Sequence, residues 1–119
     1  MNDFDAYQNA SRHTCPELGR QGNELHAYLG LAGEVGELLE KVKKVVRDKV
    51  PNCMTLDEVR GEYLAIKPQL TGEVGDILWH LARVCDLHGI SMSDAACYNL
   101  QKIADRNRRG VLVGSGDNR

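Results

Sequence analysis

The feature that most constrains the fold of this chain is the spacing of its apolar residues. Along two long stretches, from residue 24 to about 48 and from 70 to 88, they recur at steps of three and four. That spacing places apolar side chains on one face of an α-helix. No segment alternates apolar and polar residues convincingly, as a half-buried strand would. We therefore predict an all-α fold that resembles a four-helix bundle.

Shorter helices are predicted on either side of the long ones, over residues 3–14, 56–66 and 92–109. Thr55 and Glu58 have the spacing of a capping box, which marks a helix start. Pro68 is expected to end the short helix that follows, because the residue before a proline avoids the helical region. Gly89 and Gly110 are expected to end the last two helices.

Length and charge narrow the class of protein. With 119 residues and a formal net charge of −2, we expect one domain over residues 1–110 and a polar tail over 111–119. The charge is too balanced for non-specific attraction to nucleic acid. Neither a membrane span nor a secretory signal is recognisable, so we expect no membrane partner and a cytoplasmic location. The four cysteines lack a Cys-x-x-Cys pair, which disfavours a zinc site.

One short motif occurs in both long helices. Residues 33–37 read Gly-Glu-Val-Gly-Glu and residues 72–76 read Gly-Glu-Val-Gly-Asp. Acidic residues three apart lie one turn apart on a helix, so their side chains converge. If the two apolar faces pack together, four carboxylates meet near the helix contact. Crowded carboxylates repel one another unless positive charge offsets them, and a hard divalent cation such as Mg²⁺ supplies that charge. The four are Glu34, Glu37, Glu73 and Asp76.

A single Glu-x-x-Glu pair is usually a solvated feature of a helix surface. Two such pairs in the same glycine-bracketed frame favour a metal site instead. With these two pairs, the chain resembles the MazG-like nucleoside triphosphate pyrophosphohydrolases. Residues 30–38 and 73–79 carry the resemblance, together with Asn99, Lys102 and Arg106, which match a later Asn-x-x-Lys motif and its following arginine. The resemblance covers nearly the whole chain, although the two acidic motifs are farther apart than is usual.

The resemblance implies an enzyme that hydrolyses a nucleoside triphosphate to the monophosphate and pyrophosphate by water attack at the α-phosphorus. Mg²⁺ would be the cofactor, with Mn²⁺ as a substitute. The four carboxylates would hold the metal, and either Glu34 or Glu37 would activate the water. Lys102 and Arg106 would hold phosphate oxygens, and Asn99 would bind the sugar or a phosphate.

Several alternatives remain open at the level of sequence. Trp79 and His80 lie on the side of the helix that carries the second acidic pair, so they contact the base or a metal ligand, or they belong to the core. A helical bundle that binds nucleotide or metal without turnover would carry the same acidic residues. A nucleic-acid-binding module is motivated only by the basic residues from Lys102 to Arg109.

Assembly is also predicted from the first long helix. Its apolar residues cover a wider arc than one intramolecular contact needs, and Gly30, Gly33 and Gly36 would let a neighbouring helix approach closely. Closed homo-oligomers commonly bury such surface. We expect a homo-oligomer, a tetramer first and a dimer second, in line with the resemblance. The apolar residues in question are Leu31, Val35, Leu39, Val42 and Val46.

Overall fold

The computed structural model describes residues 3–15 and 23–118, and within these ranges the chain forms five α-helices, one short 3₁₀ turn and no strand. In chain order they are α1 (Phe4–Arg12), α2 (Asn23–Asp48), the 3₁₀ turn (Val50–Asn52), α3 (Leu56–Ala65), α4 (Lys67–Leu87) and α5 (Met92–Arg108). The all-α prediction is confirmed. Of the polar tail predicted over 111–119, only Arg119 lies outside the described residues.

The junction between α3 and α4 confirms two predicted signals and corrects the start of α4. Thr55 accepts a hydrogen bond from the Glu58 backbone at 3.2 Å, and the Glu58 carboxylate accepts one from the Thr55 backbone, so the capping box is present. The short helix α3 ends at Ala65, before Pro68, as predicted, and Pro68 itself belongs to the next helix. It lies in the first turn of α4, which begins at Lys67, three residues before the expected start. A proline is tolerated there because its missing N–H would have no partner within the helix.

The ends of α4 and α5 share one geometry. Gly89 follows the C-cap of α4 with φ +62°, and Gly110 follows that of α5 with φ +72°. Beyond each glycine the chain turns back: Ile90 N–H donates to the Cys85 carbonyl at 2.9 Å, and Val111 N–H donates to that of Arg106 at 2.9 Å. Both ends are Schellman motifs, which need the left-handed conformation that glycine adopts without strain.

The central feature of the fold is the pairing of α2 with α4, and α1 packs against α4 and α5. A small core of Ala82, Cys85 and Met92 lies where α4 meets the start of α5. Gln8 joins the three elements there. Its Nε2 donates to Asp86 Oδ1 at 2.9 Å and to the Ile90 carbonyl at 3.0 Å, and its Oε1 accepts from Met92 N–H at 2.9 Å. The α4–α5 turn is therefore fixed by α1.

The protomer is open rather than compact. Its radius of gyration is 18.1 Å, against roughly 13.5 Å expected for a globular chain of this length. The apolar face predicted for 70–88 includes Val74 and Leu81, yet both are exposed in the single chain, as are Leu100 and Ile103 of α5. The prediction that Val74 and Leu81 are covered is therefore wrong for the isolated chain. In the described part of the chain, no helix is long and apolar enough to cross a membrane.

Candidate metal and phosphate site

Three of the predicted carboxylates meet where α2 packs on α4. Glu34 from α2 and Glu73 and Asp76 from α4 each offer an oxygen, and these atoms lie within 4.8 Å of one another. We call these three residues the acidic cluster. Glu73 is only 9% exposed. The convergence follows from the i, i+3 spacing on α4 and from the packing of the two apolar faces.

The charges of the acidic cluster are only partly compensated. Lys41 Nζ lies 3.4 Å from Glu73 Oε1, whereas Glu73 Oε2 is buried without a hydrogen-bond partner among the described residues. A buried polar atom without a partner costs free energy, and more so when it carries charge. Within the described ranges, three carboxylates face one ammonium, so the excess negative charge matches a divalent cation. Carboxylate oxygens are also the hard ligands that Mg²⁺ prefers. The donor set fits such an ion.

Lys41 was missed by the sequence analysis. The available signal was its position seven residues after Glu34, two helical turns along the same side of α2. Glu37 is exposed, as is Asp76, but it differs from its predicted partners because it lies outside the group of close oxygen atoms. Its roles as metal ligand and as base therefore stay predictions.

Trp79 and His80 occupy different surroundings. Trp79 Nε1 donates to Thr14 Oγ1 at 2.6 Å, and the guanidinium of Arg83 lies 5.3 Å from the centre of its ring. These contacts place Trp79 at the junction with α1. His80 reaches the acidic cluster, with Nε2 at 3.5 Å from Glu34 Oε1. Its ring lies over Gly30, where an added Cβ would come within 2.2 Å of Cε1. The close neighbour of Gly30 is thus a side chain of α4.

Tyr7 extends the surroundings of the acidic cluster to α1. Burial raises the pKa of its phenol, the negative charge of Asp76 raises that pKa further, and the cation of Arg83 opposes both effects. Tyr7 also packs against the small core at the α4–α5 junction. Tyr7 on the first helix therefore lies near both Asp76 of the acidic cluster and the buried Arg83.

The three predicted phosphate-binding residues lie on α5. Lys102 Nζ is 3.4 Å from Asp117 Oδ1, and Arg106 Nη2 donates to the Asp117 carbonyl at 2.6 Å and to Oδ1 at 3.1 Å. Hydrogen bonds from Arg106 and Lys102 lower the pKa of the Asp117 carboxyl. Asn99 is exposed. The tail thus places an anion on the two predicted phosphate ligands.

The acidic cluster and the basic residues of α5 remain separate within one chain. Of the described residues, those of α5 pack mainly against α1, and no hydrogen bond or ion pair joins Asn99, Lys102 or Arg106 to the acidic cluster. Among the described residues, three of the four predicted metal ligands therefore come together, and none of the three predicted phosphate ligands is bonded to them.

Comparisons with known proteins agree with the placement of these motifs. The family model of the MazG nucleotide pyrophosphohydrolase domain matches residues 23–111, which hold both acidic motifs and the basic residues of α5. The Gene 37 protein of Mycobacterium phage L5 is 38% identical over 91 residues, covering 76% of this chain and 72% of that protein. No solved structure matches.

Proposed function

The chain belongs to the MazG nucleotide pyrophosphohydrolase family, and we propose that it hydrolyses a nucleoside triphosphate to the monophosphate and pyrophosphate with Mg²⁺, or with Mn²⁺ as a substitute. The observation that carries the proposal is the acidic cluster, with its close oxygen atoms and the buried, unpartnered Oε2 of Glu73. A divalent cation bound there would screen the charges of a triphosphate and make the α-phosphorus accessible to water.

The carboxylates divide the work. Glu34, Glu73 and Asp76 hold the cation, and the 3.4 Å contact of Lys41 with Glu73 helps to hold that carboxylate in place. Glu37, one turn along α2 from Glu34 and exposed to solvent, accepts the proton of the attacking water or completes the ligand set. In the first case its carboxylate must stay free of the cation.

The basic residues of α5 bind the phosphates. Lys102 and Arg106 already hold the carboxylate and carbonyl oxygens of Asp117 in this structure, which supports their use as ligands for oxyanions. They would stabilise the negative charge that develops on the departing pyrophosphate. Asn99, one turn earlier on α5, would contact the sugar or a phosphate. Substrate phosphates must therefore displace the tail from these two cations.

The exposed apolar surface of the single chain favours an assembly of several copies. We propose a homo-oligomer, a tetramer or else a dimer, because the protomer is extended and exposes apolar residues on α2 and α4. Such surface is normally covered in a stable assembly. Light scattering at micromolar concentration tests this: a mass near 13.2 kDa would contradict it.

The activity is tested with a panel of canonical and modified nucleoside triphosphates and Mg²⁺, with pyrophosphate and orthophosphate measured separately. We expect pyrophosphate with at least one substrate, and a loss of kcat/KM in Asp76→Asn of roughly 100-fold or more. Asp57→Asn is the matched control, because that exposed carboxylate on α3 faces only Arg60 in a surface pair at 3.7 Å. Release of orthophosphate alone would contradict the proposal. Nucleotide binding without turnover would support the non-catalytic bundle instead.

A further inference from the structure

His80 lies at the contact between α2 and α4, and its ring is held from two sides. The α2 backbone at Gly30 lies so close that an added Cβ would come within 2.2 Å of Cε1 and 2.4 Å of Nδ1. The Trp79 ring meets it at 81° with the ring centres 5.0 Å apart. The side chain is 13% exposed. The ring therefore has little freedom to move, although Nδ1 has no hydrogen-bond partner among the described residues.

The same packing directs the other ring nitrogen at a carboxylate. Gly30 and Glu34 are four residues apart, so they lie on one side of α2, one turn from each other. Nε2 of the ring is 3.5 Å from Glu34 Oε1. That separation exceeds an ordinary N–H···O distance of about 2.9 Å, and a small rotation of the Glu34 side chain closes it. One turn of α2 thus carries both Gly30, against which the ring packs, and Glu34, whose carboxylate can accept a hydrogen bond from Nε2.

We propose that His80 is a positioning residue for Glu34: its ring, seated against Gly30, donates from Nε2 to one carboxylate oxygen and leaves the other for the cation. The inference rests on the proposed metal site. Partners that orient a ligating carboxylate usually change metal affinity by about 10- to 100-fold when they are removed. It also explains the glycine at position 30, since any larger residue would push the ring away from Glu34.

Two substitutions of His80 separate donation from packing. His80→Gln keeps an N–H donor on a side chain of similar reach but loses the ring, whereas His80→Phe keeps a ring and loses the donor. We expect Mn²⁺ affinity, measured by calorimetric titration without nucleotide, to fall about 10- to 100-fold in His80→Phe and by much less in His80→Gln. If His80 only fills space, the order is reversed, with phenylalanine the better replacement.

Gly30→Ala tests the seat of the ring without touching a polar group. Gly33→Ala is its control, because that glycine lies on the same helix and an added Cβ there would meet no neighbouring atom of the described residues within 4 Å. We expect Gly30→Ala to lower both Tm and Mn²⁺ affinity, and Gly33→Ala to raise Tm with affinity unchanged. Light scattering on both variants checks that the assembly is the same.

The outcomes distinguish this inference from the proposed function. If the unsubstituted protein binds no Mn²⁺, the metal site itself is wrong. If it binds Mn²⁺ and His80→Phe binds equally well, the metal site stands and the positioning role is wrong. Equal losses of affinity in Gly30→Ala and Gly33→Ala would assign the effect to helix α2 as a whole and would also overturn the inference.

Discussion

Two clusters of charged residues lie on α4, and they differ in how far their charges are compensated. At one end, Glu73 and Asp76 join Glu34 in a group of carboxylates that lacks matching positive charge among the described residues. Two to three turns later, Arg83 and Asp86 form an ion pair with Nη2 and Oδ2 3.0 Å apart. The side chains of Arg83 and Asp86 are both buried, whereas in the acidic cluster Glu73 is buried, Glu34 is half-buried and Asp76 is exposed, so the two clusters differ in burial as well as in charge balance.

The second cluster is also tied to other elements. Arg83, 2% exposed, donates to the Gln8 carbonyl at 3.0 Å and to Ser11 Oγ at 3.1 Å, and Arg12 reaches Asp86 Oδ1 at 2.5 Å. Its charges are compensated from α1 as well as from α4, which makes it a link between helices. In the acidic cluster, Lys41 and His80 each approach one carboxylate across α2 and α4, but the negative charge remains in excess, which suits the cluster to take up a cation from solution. Charge balance therefore separates a structural cluster from a ligand site on one helix.

The largest expected effect is on stability, where the two clusters should respond in opposite directions. Asp86→Asn removes the anion beside buried Arg83 and should lower the free energy of unfolding by about 3–5 kcal/mol. Asp76→Asn relieves repulsion between carboxylates and should leave stability unchanged or raised when no divalent cation is present. Urea unfolding at one fixed protein concentration measures both. Equal losses in the two variants would remove the distinction between the clusters.

A smaller effect is expected where substrate meets α5. Lys102→Ala should lower kcat/KM roughly 10- to 150-fold, because a charged contact to phosphate is lost. The corresponding rise in activation free energy is about 1.5–3 kcal/mol. Lys43→Ala is the control, since Lys43 is an exposed lysine on α2 that pairs with Glu40 at 3.5 Å. An unchanged kcat/KM in Lys102→Ala would mean that Lys102 is a solvated surface residue and does not bind phosphate.

Acid should reduce the contribution of the Arg83 and Asp86 cluster to stability. Burial pulls the pKa of the Asp86 carboxyl upward, but hydrogen bonds from Arg12 and Gln8 and the charge of Arg83 outweigh it, so the pKa lies below the ordinary 3.8. A carboxyl with a lowered pKa contributes stability above its unfolded value and loses that contribution as the pH falls through the folded one. The stability difference between the unsubstituted protein and Asp86→Asn should therefore be constant above about pH 5 and shrink below about pH 4. A difference that persists into strong acid would contradict this assignment.

The smallest effect concerns the tail. Asp117 neutralises Lys102 and Arg106 from an exposed position, and exposed ion pairs contribute about 1 kcal/mol or less. Asp117→Asn should therefore lower KM by no more than about fivefold. Its effect on substrate binding is opposite to that of Lys102→Ala, which weakens binding. Asp105→Asn is a control on the same helix, because that carboxylate pairs with Arg109 at 2.8 Å. A higher KM in Asp117→Asn would mean that the tail assists binding.

The sequence determined the helices and part of the site through local chemistry. Apolar spacing gave the two long helices, and the capping box at Thr55 and the glycines at 89 and 110 marked helix ends, because these signals act within a few residues. The repeated acidic motif predicted that carboxylates from α2 and α4 would meet. The family followed from the same motifs, and the family model confirms it.

Only the tertiary structure decided how the helices are rotated and what each charge faces. Periodicity specifies the apolar face of a helix, but small differences in rotation decide that Glu34 joins the acidic cluster while Glu37 stays exposed. The pairing of Lys41 with Glu73, the seat of His80 on Gly30 and the contact of Asp117 with Arg106 all join distant parts of the chain or separate helices. Local sequence places Lys41 on the side of α2 that carries Glu34, but the contacts themselves depend on packing that forms only when the whole chain has folded.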